Sequence, residues 1–190
     1  MRVIAGTLGG RTLRTVKDLS IRPTTDRAKQ VIFDVLATRV DLTDARVLDL
    51  FAGSGSLGLE ALSRGAASVT FVEQASSSLD VLHANIRALH VEDRSEVVRT
   101  DVFRYLKGNA LRYDVVFVDP PFKLETIASL PDVVGRSASL RPGGWMVMEH
   151  STFTPVTPDP GLFTVLRKQL GQTVVLILQA LPTSSETGTP

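Results

Sequence analysis

An α/β domain on a mostly parallel sheet is predicted by three features of this 190-residue chain. Short β-branched apolar runs recur with gaps long enough for a helix, and one gap has clear helical periodicity. With 43% hydrophobic residues and a mean hydropathy of +0.13, the chain has apolar material for one sizeable core. It contains no cysteine, which removes disulfide frameworks, Cys-ligated zinc, iron–sulfur clusters and thiol nucleophiles together.

In chain order, Arg2 to Thr15, with Gly6 and Gly9-Gly10, suits a small β-hairpin. Thr24 or Thr25 can cap a helix whose apolar face carries Val31, Ile32, Val35 and Leu36, leaving Arg27, Lys29 and Gln30 on its polar side. Strand and helix alternate from Arg46 onward. The runs 47–51, 68–72, 97–98, 113–118 and 145–148 read as strands buried on both faces. Between two of them, Ser76 to Leu89 aligns Leu79, Leu82, Ile86 and Leu89, with Ser76 available as the cap. The last two runs, 163–166 and 173–178, are separated only by 167–172, too short for a crossover helix. They should therefore pair antiparallel and complete seven strands. Residues 181–190, rich in Thr, Ser and Pro, read as a disordered tail.

Charge is unevenly placed. Residues 1–40 hold eight Lys and Arg against three Asp and Glu, net +5, whereas 41–190 hold 13 against 17, net −4. A basic arm on a near-neutral body faces a polyanion, and Arg2, Arg11, Arg14, Lys17 and Arg22 are the candidates for phosphate contacts. No apolar block of leader length follows the first Arg, and the longest aliphatic run, 174–178, is far too short to span lipid. The expectation is a soluble, cytoplasmic protein.

The first strand runs into Gly53-Ser54-Gly55-Ser56-Leu57-Gly58, a G-x-G-x-x-G between a strand and a helix, where glycines let backbone approach a ligand closely. Glu73, 20 residues after Gly53 and at the end of the second strand, can accept both hydroxyls of a ribose. The ligand is then an adenine nucleoside or dinucleotide. The pyrophosphate of NAD wants no anion beside the loop, yet Asp49 sits there; a carboxylate suits S-adenosylmethionine, with its sulfonium and α-ammonium charges. Asp101, followed by Val102, either meets the adenine amino group or caps the helix from Val102 to Leu106, and both roles can coexist.

The fourth strand ends in Asp119-Pro120-Pro121-Phe122. Ligands of open α/β sheets bind beyond the carboxyl ends of the strands, so this segment belongs beside the glycine loop. The prolines hold φ and have no N–H, leaving their carbonyls as rigid acceptors. Asp119 and the Pro120 carbonyl can receive both hydrogens of an exocyclic amine while Phe122 stacks on the ring, an arrangement for an amino group on a planar base. His83 and His90 flank a helix face without carboxylate partners at ligand spacing, and His150 follows Glu149 at a strand end; all three are read as surface or packing residues, with no metal expected.

Together these residues resemble the Rossmann-like, S-adenosylmethionine-dependent methyltransferases, Asp49 to Gly55 looking like their motif I and Asp119 to Phe122 like motif IV of the amino-group methylases. Within that superfamily the chain is most similar to the RsmD-type enzymes acting on guanine N2 of 16S rRNA. The likeness is carried by 2–6 with 10–13, by 21–27, by 48–66, by 71–73 and by the Asp119 segment, about residues 1 to 180 in all. It implies a seven-stranded sheet with an antiparallel C-terminal hairpin and helices on both faces. Residues 41–180 would be the catalytic domain and 1–40 an RNA-facing hairpin and helix. It implies that Phe51 and Ser54 join Asp49, Gly53 and Gly55 around the cofactor. It also implies that Arg22, Thr24 and Arg27 lie near the cofactor and the RNA entrance. The first helix departs from the pattern, with Gln30 where such enzymes show Glu and Asp34 where they show Asn. The partner implied is 16S rRNA or a small-subunit assembly particle, the enzyme acting as a monomer. Competing readings are an amino-group methyltransferase for DNA adenine N6 or protein glutamine, and a non-catalytic RNA-binding or NAD-sensing module.

Overall fold

The computed structural model describes residues 1–16, 26–121 and 123–182. Lys17, Arg22, Thr24, Thr25, Phe122 and the tail from 183 lie outside the described residues. The described elements are α1 (Asp26–Ala37), β1 (Arg46–Leu50), α2 (Ser56–Ser63), β2 (Ser68–Glu73), α3 (Ser76–Leu89), β3 (Ser95–Arg99), α4 (Val102–Gly108), β4 (Tyr113–Val118), α5 (Leu130–Arg136), β5 (Leu140–Ser151), β6 (Phe163–Leu170) and β7 (Thr173–Ala180).

The sheet runs β3-β2-β1-β4-β5-β7-β6. The first five strands pair in parallel and β7 pairs antiparallel to both neighbours. Chain order reverses between β1 and β4, so the crevice beyond their carboxyl ends is where an open α/β sheet takes its ligand. One face packs Ile32, Phe33 and Leu36 of α1, Leu59 and Leu62 of α2, and Leu82 and Ile86 of α3 on Val47, Val115 and Phe117. The other packs Val102 and Leu106 of α4 and Leu130 and Val134 of α5 on Leu48, Leu50, Val116 and Val118. Coverage on both sides is why the central strands are almost continuously apolar.

The N-terminal hairpin forms in short form: Arg2 bridges Thr12 antiparallel, and backbone bonds run from Val3 N–H to Arg11 O, Gly10 N–H to Val3 O and Leu13 N–H to Met1 O. Its Ile4 and Ala5 N–H groups bond the Glu60 carboxylate of α2 at 2.6 and 3.0 Å. Several other local expectations are corrected. On α1 the buried face is Ala28, Lys29, Ile32, Phe33 and Leu36. Lys29, expected in solvent, is fully buried, and Val31 and Val35 are only half-buried. On that face Phe33 packs on Phe117 with ring centroids 5.5 Å apart. Phe51, expected inside the first strand, has φ 58° and ends it. The cap of α3 is Ala75 rather than Ser76, without a side-chain bond. The neighbouring N–H groups of Gln74 and Ala75 go to Glu73 Oε1, both at 2.8 Å. The last two strands are longer than their apolar runs and turn through Gly171 and Gln172 alone, because charged residues tolerate an edge strand such as β6.

Candidate active site

The glycine loop is held by carboxylates at the ends of the two strands beside it. Asp49 Oδ2 accepts the Gly58 N–H at 2.9 Å, and Glu73 Oε2 accepts the Gly53 N–H at 2.9 Å. Gly55 has φ 80°, and a Cβ there would fall 2.4 Å from Leu82 Cδ1; one on Gly58 would fall 2.4 Å from the Phe71 ring. Both glycines are pressed against protein. A Cβ on Gly53, with φ 55°, would meet nothing nearer than the Phe51 carbonyl oxygen at 3.9 Å. That side of the loop is open to a ligand, as backbone contact with a nucleoside requires.

Asp49 is only 2% exposed. Burial lifts its carboxyl well above the usual carboxylate range, the Gly58 N–H opposes the shift, and the charges of Asp119 and Glu73 add to it. Three carboxyls thus share one electrostatic neighbourhood at the carboxyl edge of the sheet, which favours a cationic ligand over a pyrophosphate. The β1–β4 register ends at Leu50 and Val118, and the Asp119 N–H points at the Leu50 carbonyl at 3.4 Å. Asp119 is half-buried and Pro120 buried. Asp101 caps α4, its Oδ1 accepting the Arg104 N–H at 3.0 Å, while remaining exposed; Val102 is buried beside it.

Arg2, Arg11, Arg14 and Arg27 are exposed. Arg2 makes a surface ion pair with Asp26 at 3.6 Å. Gln30 Nε2 donates to Asp34 Oδ1 at 2.6 Å, an amide–carboxylate pair one turn apart on α1. His83 and His90 are exposed and His150 is buried. Among the described residues no group of three or more His, Cys, Asp or Glu could hold a metal, and no helix is long and apolar enough to cross a membrane.

A second polar cluster escaped the sequence reading. Glu60, fully buried on α2, receives Ile4 and Ala5 N–H, Arg64 Nε at 2.8 Å and the Lys29 ammonium at 3.5 Å. Lys29 also donates to the Arg2 carbonyl, and burial pushes its pKa below the ordinary lysine value despite the Glu60 charge. Ser63 Oγ donates to Ala5 O at 2.5 Å and accepts from Leu8 N–H at 3.0 Å. A single Glu inside the apolar octet of α2, and a Lys inside the apolar stripe of α1, were the available signals. Glu149 was also missed. It is 6% exposed and lies one residue beyond the Val118–Met148 pair, beside Asp119 in the register.

Residues 1–179 match the family described as conserved hypothetical protein 95. The chain is 36% identical over 172 residues to a putative rRNA methyltransferase, YlbH, of Bacillus subtilis, covering 89% of this chain and 92% of that protein. It is 36% identical over 169 residues to the ribosomal RNA small subunit methyltransferase D of Escherichia coli K12, covering 87% and 79%. The chain belongs to this methyltransferase D family. A solved structure of a putative methyltransferase, yhhF, from Escherichia coli superposes with a TM-score of 0.83 at 30% identity, over 96% of this chain and 99% of that one. The Rossmann-like fold and the family make this protein an S-adenosylmethionine-dependent methyltransferase. The residues present fit that cofactor: the glycine backbone is open at Gly53, and the carboxyls of Asp49, Glu73 and Asp119 gathered beside it suit a cationic ligand.

Proposed function

We propose that this methyltransferase modifies the exocyclic N2 amino group of a guanine in 16S rRNA, free or within a small-subunit assembly particle, in the cytoplasm. The observation that carries the reading is that Asp119, at the exit of β4, shares the electrostatic neighbourhood of Asp49 and Glu73 where the strand order reverses. The names of the relatives supply the RNA class, and the exposed arginines of the N-terminal segment supply a surface for phosphates. In this reading residues 1–40 face RNA, 41–180 carry catalysis, and Lys17, Arg22 and Phe122 take the roles their types suggest.

S-adenosylmethionine supplies an electrophilic methyl group. The residues of the chain prepare the nitrogen that receives it. An exocyclic guanine amine is a poor nucleophile because its lone pair is delocalised into the ring. Asp119 and the Pro120 carbonyl accept its two N–H groups, orient the lone pair and favour a pyramidal nitrogen. Positioning of this kind can be worth about 7–11 kcal/mol. As the N–C bond forms, positive charge grows on nitrogen beside the Asp119 carboxylate, which stabilises it. The surplus proton then leaves the nitrogen for Asp119 Oδ or water. The base must leave its stack to reach this site, at a cost of a few kcal/mol that phosphate contacts offset.

The Asp119→Ala variant should lose methyl transfer by about 10²-fold or more while its affinity for S-adenosylhomocysteine stays close to wild type. Equal loss of both would overturn the role of Asp119. Nuclease digestion of methylated 16S rRNA should release N2-methylguanosine. N6-methyladenine in DNA or methylglutamine in protein would instead identify one of the related amino-group substrates.

A further inference from the structure

We infer that Asn85 is a positioning residue that couples the N-terminal arm to the cofactor loop, so that cofactor and RNA reinforce each other's binding. The RNA half of this statement rests on the reading of the arm given above. Asn85 is on α3 and is 1% exposed. A buried amide must find partners for its donors and acceptor, and those partners belong to two different segments. Its Oδ1 accepts the Arg14 N–H at 2.8 Å, and its Nδ2 donates to the Arg14 carbonyl at 3.0 Å and to the Ser54 carbonyl at 2.9 Å. The opposite orientation of the amide would set its N–H groups against the Arg14 N–H and its oxygen against two carbonyls, so the network itself fixes which way it points.

Ser54 is the residue between Gly53 and Gly55, and the arm touches it a second time. Its hydroxyl donates to the Met1 sulfur at 4.0 Å, and the Met1 carbonyl accepts the Leu13 N–H at 3.0 Å. The contacts close a ring: Ser54, Met1, Leu13, Arg14, Asn85 and back to Ser54. A ligand that immobilises the Gly53–Gly55 backbone thereby immobilises the backbone of Arg14, whose side chain is exposed among the candidate phosphate contacts. By linkage, whatever binds the arm must act equally on the loop.

The Arg14 amide proton is the reporter, because its acceptor is Asn85 itself. Adding S-adenosylhomocysteine to the wild-type protein should slow hydrogen exchange at Arg14 by about fivefold or more, the lower end of usual coupling factors. Asn85→Asp keeps an acceptor for the Arg14 N–H and loses the donations to both the Arg14 and the Ser54 carbonyls. It should still bind S-adenosylhomocysteine, with Val147 in the sheet exchanging as in wild type, but should show no added protection at Arg14. Unchanged Arg14 exchange in the wild type, a measurement that needs no variant, would overturn the inference, as would equal protection in the variant. With a 16S rRNA transcript, S-adenosylhomocysteine should tighten RNA binding by about fivefold or more in the wild type, the transcript should tighten S-adenosylhomocysteine binding by the same factor, and neither effect should appear in Asn85→Asp. If the transcript fails to bind while the exchange coupling holds, the RNA reading falls and the role of Asn85 stands.

Discussion

Helix α2 carries two polar anchors only two residues apart that serve different ends. At its first turn Gly58 N–H is held by Asp49, a strand-end carboxylate that shares its field with Asp119 and Glu73. Half a turn further, Glu60 holds the N-terminal arm through two N–H groups, Arg64 and Lys29. Arg64 also lies over the Phe33 ring at 4.7 Å, tying α1 into the same cluster. The first anchor sits at the carboxyl edge of the sheet, beside the open face of Gly53; the second is closed around Glu60, whose buried carboxylate faces two cations, Lys29 and Arg64. The difference teaches that a buried acid is a binding group where its partners leave one side open, and a fastening where they surround it.

Breaking the sealed anchor should have the largest effect. Glu60→Ala leaves Lys29 buried without its counter-charge and should cost about 3–5 kcal/mol in a urea titration. Loss of no more than ~1 kcal/mol would show that the cluster is not sealed in solution.

The two glycines of the loop sharpen the comparison. Gly55→Ala forces a Cβ to 2.4 Å from Leu82 at φ 80°, and should destabilise by about 1–3 kcal/mol. Gly53→Ala meets open space and should cost only about 1 kcal/mol in stability, yet weaken S-adenosylhomocysteine binding by about tenfold or more because the methyl group occupies the ligand side. Calorimetric titration beside thermal unfolding separates these outcomes.

A smaller effect concerns acid. His150 is buried, and burial lowers its pKa below the ordinary histidine value, the Ser151 carbonyl only partly opposing this. A depressed folded-state value means that the neutral ring's contribution is complete above the unfolded pKa and is lost as pH falls through the folded one. Between pH 7.5 and 5.5 the wild type should therefore lose about 1 kcal/mol relative to His150→Gln. Equal pH profiles of the two proteins in denaturant titrations would contradict that burial. The smallest effect lies far from either anchor: His90 ends α3 with φ 55°, and His90→Gly should stabilise by about 1 kcal/mol or less, read as a rise in the unfolding midpoint.

The central sheet, the bounds of α3 and the antiparallel ending were legible in the sequence because their periodicities are local. The placement of the candidate cofactor residues was legible in the same way: Asp49, Gly53, Gly55 and Glu73 occupy strand ends and a turn at spacings set by one βαβ unit. The Lys29–Glu60 pair was not legible. Its members are 31 positions apart on different helices, and each alone reads as a solvated charge. Asn85 was hidden for the same reason, since its partners, Arg14 and Ser54, lie 71 and 31 residues away.

By itself the sequence determined the strand–helix alternation, the glycine turn, the proline-stiffened exit of the fourth strand and the concentration of basic residues in the first forty positions. These follow from backbone sterics, side-chain periodicity and composition, which act over a few residues. Only the tertiary structure decided which charges are sealed and which stay open, how the arm is fastened to α2 and α3, and that the arm and cofactor loop share one amide. Burial and pairing depend on what long-range folding brings into contact, and no short stretch of chain encodes that.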